Sequence, residues 1–215
     1  MKYIYMLVIL FTLSACSSTA TEKSNENKAN YNENSPGNKQ NASQTSSGYF
    51  AKDEGKLSTH DSAIAYEMCA KVLDDYYKAI WNGTDIDLDA FIENDNLKRY
   101  TQKKIQSQHD LYAEFNNKVE NIKIGDKKVE FTDDKDGGYL YLKLPVEINM
   151  TTGSRGEVTE FLVRNIKGKL FIVDWYSGTK DSYDFTVRGE NQTINNPDIW
   201  NDGEWVKKLD SKMEM

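Results

Sequence analysis

The sequence predicts an α+β fold in which helices come first and a run of antiparallel strands follows. Apolar residues recur three or four positions apart from Ile64 to Ile80, with helix-forming alanines between them. After Asn117 the spacing changes to alternation of apolar and polar residues, which is typical of strands with one buried face. Helical segments followed by strands with short connections indicate an α+β domain.

Three helical segments are expected before the strands. The first ends at Asn82-Gly83, because glycine adopts the left-handed conformation that often closes a helix. A short helix or turn is expected over Asp85–Ile92, since acidic residues at its start interact favourably with the helix dipole. Apolar residues at helical spacing predict the third segment over Leu97–Phe115.

Alternation is clearest in the segment Leu140–Met150, where leucine, valine, isoleucine and methionine occupy every second position. Glycine-containing turns separate the other predicted strands, so neighbouring strands are expected to form hairpins. A terminal helix is possible within residues 195–208, which contain two tryptophans. The predicted strands are Val119–Ile124, Lys127–Thr132, Tyr139–Met150, Glu157–Asn165 and Leu170–Tyr176, with Tyr183–Val187 as a short sixth strand and a loop at Gly153–Gly156.

The first sixteen residues have the charge and hydropathy pattern expected of an export signal. Lys2 precedes an apolar run over residues 3–13, which is shorter than the roughly 20 residues needed to span a bilayer. The segment Leu13-Ser14-Ala15-Cys16 resembles the lipobox of bacterial lipoproteins. This resemblance implies that residues 1–15 are removed and that Cys16 receives diacylglycerol. The acyl chains would anchor the protein in the lipid bilayer, on the extracytoplasmic face of the cell membrane.

Residues 16–55 are predicted to form a disordered tether behind the lipidated cysteine. Residues 17–55 are rich in Asn and Ser and lack Leu, Ile, Val and Met, so they cannot bury enough apolar surface to offset the entropy of ordering. The chain carries a net charge of −7, and residues 56–215 hold this acidic excess. An acidic domain argues against nucleic acid as a partner.

Residues 56–190 resemble the NTF2-like (cystatin-like or SnoaL-like) superfamily in the order and length of their elements. The segments that carry the resemblance are Ala65–Trp81, Asp87–Ile92 and Glu160–Tyr176. It implies that the helices pack in the concave face of a curved sheet, that the cleft between them is a ligand pocket, and that a homodimer can form through the sheet. The resemblance is architectural, and function does not transfer with a fold of this kind. Residues 191–215 are expected to form an extension that packs on or beside this domain.

Few residues suggest catalysis. Enzymes of that superfamily of the ketosteroid-isomerase type use an aspartate base and a tyrosine hydroxyl, and the resemblance offers Asp174 with Tyr141 or Tyr176 as the weak candidate pair. Aromatic residues near the expected cleft are candidates to bind a small apolar or carbohydrate-like ligand. The alternative is that they fill the core. The candidates for ligand binding are Tyr76, Tyr77, Trp81, Tyr141, Trp175 and Tyr176.

No motif for a cofactor or a metal is present. His60 and His109 are interpreted as surface histidines and Cys69 as a buried thiol that packs as a small hydrophobe. Two groups of acidic residues lack the spacing of a calcium loop and are interpreted as solvated charges. These groups are Asp133, Asp134 and Asp136, and Asp198, Asp202 and Glu204.

The sequence leaves three functional hypotheses. The first is a membrane-anchored surface domain that binds a protein partner or cell-wall component without catalysis. The second is a small-molecule-binding protein or an isomerase- or hydrolase-type enzyme that uses an Asp/Tyr pocket. The third is an accessory part of a secretion or conjugation apparatus, whose envelope proteins sometimes use NTF2-like domains.

Overall fold

The computed structural model describes residues 48–114 and 119–214 and shows an α+β architecture. Cys16, the predicted signal segment and the predicted tether as far as residue 47 lie outside the described residues. Two long helices precede a five-stranded antiparallel sheet, as the sequence predicts, and two shorter helices follow it. The helices are α1 (Ser62–Asn82), α2 (Asp95–Ala113), α3 (Tyr183–Arg188) and α4 (Gly203–Met213), and the strands are β1 (Val119–Ile124), β2 (Lys128–Thr132), β3 (Tyr139–Met150), β4 (Gly153–Ile166) and β5 (Lys169–Ser177).

Caps and turns bound the predicted elements. Gly83 closes α1 in the left-handed conformation, with φ of 65°, and its N–H donates to the carbonyl of Ala79. Between α1 and α2, the expected short helix is a 3₁₀ turn over residues 88–90. Lys167 and Gly168 both have positive φ, as the two-residue hairpin between β4 and β5 requires.

The first two strands do not form the hairpin that the turn at Gly125-Asp126 predicts. Both pair with β3, so β1 and β2 form one interrupted edge strand. Residues 125–127 lie opposite only two residues of β3, which makes the interruption a bulge. The reason is the length of β3, whose twelve residues present an edge long enough for both segments.

Two further local predictions were wrong. The segment Tyr183–Val187, predicted as a sixth strand, lies in α3 because Ser182 caps a helix there by accepting a hydrogen bond from the N–H of Phe185. The residues Gly153–Gly156, predicted as a loop, belong to β4. Since Met150 pairs with Gly153, the connection from β3 to β4 is only two residues long.

The main core lies between the sheet and the helices α1 and α2. The apolar positions of β3 from Leu140 to Ile148 are buried on this side, as the alternation predicts. The alternate positions of β3, from Tyr139 to Asn149, lie on the other side, here called the outer face, and are half-buried or exposed. The outer face has a smaller apolar cluster of Leu162, Tyr176 and Ile194.

The described residues before α1 cover part of the free edge of β5, and the residues after α3 contribute to the core. The N–H of Leu170 donates to the carbonyl of Tyr49, and Phe50 pairs with Lys169. The sequence assigned residues 48–55 to the tether, but the unpaired backbone groups of the edge strand hold residues 49–51 against the domain. At the other end, Trp200 and Leu209 are part of the main core.

In the two described ranges, no helix is long and apolar enough to cross a membrane.

Because Trp200 is buried, we predict that Trp200→Ala lowers the free energy of unfolding by about 3–5 kcal/mol, the usual loss for a buried tryptophan. The exposed Lys207 lies in α4 close by, and Lys207→Ala is the control, expected to change stability by less than about 0.5 kcal/mol. Urea denaturation followed by circular dichroism measures both. Equal stability of the two variants would mean that the C-terminal segment does not belong to the core.

Candidate functional site

The side of the sheet that faces the helices gathers three of the aromatic candidates. Tyr76 and Tyr77 come from α1 and Trp175 comes from β5, and all three are buried. The Trp175 ring stacks on Phe161 at 5.6 Å between centroids and meets Tyr76 edge to face at 5.3 Å. These rings pack against one another and fill the space in which the resemblance expects a ligand.

The described residues leave a small cavity between the helices and the sheet. It measures about 10 Å³, and Tyr77, Lys104, Glu157 and Trp175 are among the residues that line it. A volume of that size is about what one water molecule needs. In this conformation the cleft has no room for a substrate larger than water.

A buried lysine lies in this cleft. The Nζ atom of Lys104, on α2, lies 2.6 Å from the carboxylate of Asp184 on α3, and 3.9 Å above the centroid of the Trp175 ring. Asp184 also accepts hydrogen bonds from the Tyr100 hydroxyl at 2.6 Å and from the N–H of Ser177 at 2.7 Å. Burial lowers the pKa of Lys104, and the negative charge of Asp184 opposes that change.

Asp174, the candidate catalytic base, is enclosed by donors. It is 1% exposed, and its carboxylate receives two hydrogen bonds from the Arg188 guanidinium, at 2.9 and 2.8 Å. The indole N–H of Trp200 and the backbone N–H of Trp175 also donate to it, each at 2.9 Å. A carboxylate held in this way is a structural group, since its lone pairs face protein donors.

The remaining aromatic candidates lie elsewhere. Tyr141 and Tyr176 are on the outer face, where Tyr176 belongs to the smaller apolar cluster and donates to the carbonyl of Gly189 at 2.7 Å. Trp81, at the end of α1, stacks on Tyr112 with 4.1 Å between ring centroids. The structure therefore does not bring Asp174, Tyr141 and Tyr176 together across the helix-side cleft.

Glu157, which no sequence pattern indicated, is a largely buried acid that lines the cavity under the helices. Only 9% of its side chain is exposed, and it accepts hydrogen bonds from the hydroxyls of Tyr77 and Thr179. Burial raises the pKa of Glu157, the Thr179 hydrogen bond opposes this change, and the negative charge of Asp184 adds to it, so that the pKa is about 7. The nearest cation is Arg155, whose Nη2 atom is 4.0 Å away.

The spacing of buried residues in α2 could have indicated Lys104 from the sequence. Leu97, Tyr100, Thr101 and Lys104 are spaced three or four positions apart, and all four are buried. The helical period alone thus places Lys104 on the buried face of α2. The partner residue Asp184 lies in the segment whose secondary structure was predicted wrongly, so its role had no such signal.

Two predicted acidic groups meet at an arginine. The guanidinium of Arg164 lies 2.6 Å from Asp134, 3.8 Å from Asp136 and 2.9 Å from Asp198. The arginine pairs with all three carboxylates, so the cluster is an ion-pair network that joins the β2–β3 turn to the C-terminal segment. Within residues 48–114 and 119–214, no group of three potential ligand residues could hold a metal ion.

The histidines and the cysteine are in unremarkable environments. His60 is exposed, and His109 is half-buried, with Nδ1 3.1 Å from the carbonyl oxygen of Ile80. Cys69 is buried as a free thiol, and burial raises its pKa well above the ordinary value. A thiol in that state is a poor nucleophile.

Open concavities lie on the outer face of the sheet. The first, of about 440 Å³, is formed by residues of β2, β3 and β4 together with residues 192–195. The second, of about 610 Å³, lies at the opposite end of β3, around Pro145 and Val158. Both are far larger than the cavity under the helices, so the outer face has room for a partner that the helix-side cleft lacks. A further concavity of about 380 Å³ is lined by residues of β4 and β5, including Arg164 and Val173, and by Asp198 of the C-terminal segment.

No family model, curated protein or solved structure matches this chain.

We predict that Asp174→Asn destabilises the fold by about 3 kcal/mol, because it leaves the buried Arg188 guanidinium without its counter-charge. The control is Asp181→Asn, since Asp181 is exposed, and it should change stability by less than about 0.5 kcal/mol. Guanidinium chloride denaturation measures both variants. Wild-type stability of Asp174→Asn would contradict the structural role of this carboxylate.

The raised pKa of Glu157 predicts that the free energy of unfolding depends on pH. Its pKa in the folded state, about 7, lies above the ordinary value of 4.5, so the folded protein binds the proton more tightly than the unfolded chain. The stabilisation that comes from the protonated Glu157 carboxyl is complete below pH 4.5 and is lost as the pH rises through 7. Relative to Glu157→Gln, we expect wild type to lose up to about 3 kcal/mol over this window. Urea denaturation at intervals of pH measures the difference, and parallel curves would contradict it.

Proposed function

We propose that this protein is a bacterial lipoprotein, anchored in the cell membrane through diacylglycerol on Cys16, whose extracytoplasmic NTF2-like domain binds an envelope component without catalysis. The lipobox at Leu13-Ser14-Ala15-Cys16, after a short apolar segment, supports the anchor. The order of elements supports the family, because two long helices precede and cover one face of an antiparallel sheet.

The observation that carries the non-catalytic function is the contrast between the two faces of the sheet. Under the helices, the protein's own side chains fill the cleft down to about 10 Å³. Asp174, which the sequence suggested as a base, already accepts hydrogen bonds from Arg188 and Trp200. The outer face instead has concavities of several hundred Å³ that are open to solvent. Binding on an open surface needs no enclosed catalytic chamber.

A second candidate function, acid–base chemistry in the helix-side cleft, is favoured by Glu157 alone. A carboxyl group with a pKa of about 7 can both donate and accept a proton at neutral pH. Tyr77 and Thr179 contact it, so a small substrate would have to displace these hydroxyls. Trp175 lines the same cavity, so a bound metabolite should quench its fluorescence. Quenching that occurs in the wild-type protein and is lost in Glu157→Gln would favour this second function.

The anchor is tested by incorporation of labelled palmitate in the native host. We expect label in the wild-type protein and none in Cys16→Ala, because the thiol is the acceptor of the lipid. Cys69→Ala is the matched control and should keep the label, since Cys69 is buried. Equal labelling of wild type and Cys16→Ala would overturn the lipoprotein assignment.

The binding function is tested with the full-length protein, purified in mild detergent and mixed with isolated cell envelopes. We expect co-sedimentation that is unchanged in Glu157→Gln and weakened by substitutions on the outer face. Loss of binding in Glu157→Gln, with binding retained in the outer-face variants, would support the helix-side cleft as the functional site instead.

A further inference from the structure

The concavity at the β2 end of the outer face, here called the outer groove, has an aromatic floor. Tyr139 and Tyr141 are two positions apart on β3, so they point to the same side of the sheet. Both are half-buried, and both line the groove. A strand rises about 3.3 Å per residue, so the two tyrosines follow one another at roughly 7 Å along the floor.

Polar side chains surround this floor on three sides. Glu130 comes from β2, Glu160 from β4, and Gln192 and Asn195 from the C-terminal segment. The Tyr139 hydroxyl donates to the carbonyl of Asn195 at 3.2 Å, which joins the floor to that wall. The groove therefore combines carboxylate acceptors and amide groups with aromatic side chains that keep part of their surface open.

The charges of the groove are balanced. Lys128 lies 2.6 Å from Glu130, and Lys143 lies 3.1 Å from Glu160. Each carboxylate thus has a lysine beside it, and the groove has no excess of one sign that would select an ion. The net charge of −7 on the whole chain further disfavours a polyanion.

We propose that the outer groove binds an uncharged oligosaccharide segment of an envelope glycan, an assignment that rests on the extracytoplasmic location in the proposed function. A sugar ring has an apolar face of C–H groups, which packs on an aromatic ring, and an edge of hydroxyls, which hydrogen-bond to carboxylates and amides. The outer groove offers both kinds of surface, and its volume of about 440 Å³ lies in the range of known small-ligand sites.

Isothermal titration calorimetry with the full-length protein in mild detergent tests this proposal. The probes are cellotetraose, maltotetraose and tetra-N-acetylchitotetraose, chosen because all three are uncharged and differ in linkage and substituents. We expect at least one to bind with a dissociation constant of about 1 mM or lower. Since no ion pair is involved, the affinity should change less than about two-fold between low and high salt.

Two pairs of variants locate the binding. Tyr141→Ala should weaken binding at least ten-fold, whereas Tyr66→Ala, at a half-buried tyrosine on α1, should leave it unchanged. Glu130→Gln should weaken binding a few-fold, and Glu147→Gln is its control. Both glutamates lie on the outer face beside a lysine and are about half exposed, but Glu147 is outside the groove. Circular dichroism confirms that each variant is folded.

Three results would overturn the proposal. The first is no heat of binding with any of the three probes when the protein is folded. The second is binding that Tyr141→Ala leaves intact. The third is a dimer, detected by sedimentation, that Tyr141→Ala dissociates, because the groove would then be a contact between copies of this chain. Since soluble probes need no membrane, absence of lipid on Cys16 would defeat the proposed anchor without affecting this measurement.

Discussion

The ion pair between Lys104 and Asp184 is the constraint on which the rest of the domain depends. Both side chains are almost fully buried, and a buried charge is tolerated only when it is paired and hydrogen-bonded. Asp184 meets this condition by accepting hydrogen bonds from α2 and from the backbone at the end of β5. One carboxylate of α3 thereby holds a helix and a strand in place. Four residues along, Arg188 forms a second buried pair with Asp174 on β5.

These two pairs fix the position of α3 relative to α2 and the sheet. The short helix α3 is held across the end of the cleft, and Trp175 lies under the Lys104 ammonium. The space between the helices and the sheet is then filled by protein, and only about 10 Å³ remains. On the outer face, the segment that follows α3 packs Ile194 on the sheet and forms a wall of the outer groove. Closure of one face and formation of a groove on the other thus involve the same part of the chain.

Glu157 differs from the two buried aspartates because its neighbours do not compensate its charge fully. Its hydrogen bonds come from neutral hydroxyls, and its nearest cation is 4.0 Å away. Desolvation therefore dominates, and the pKa of Glu157 rises to about 7. Asp174 and Asp184 each form an ion pair at hydrogen-bond distance. Protonation of the Glu157 carboxyl near neutral pH therefore changes the charge of the interior.

Periodicity and turn chemistry by themselves determined the class of the fold and most of its elements. They predicted the helix that ends at Gly83 and the buried side of β3, because each depends on residues close in the sequence. Only the tertiary structure decided the pairing of β1 and β2 with β3, since nearby turn residues do not specify a partner strand. It also decided the place of Asp174. Strict alternation from Ile172 points this side chain into the cleft, but a bulge at Val173 turns it toward Arg188 and Trp200. Such contacts join distant parts of the chain, and no local pattern contains them.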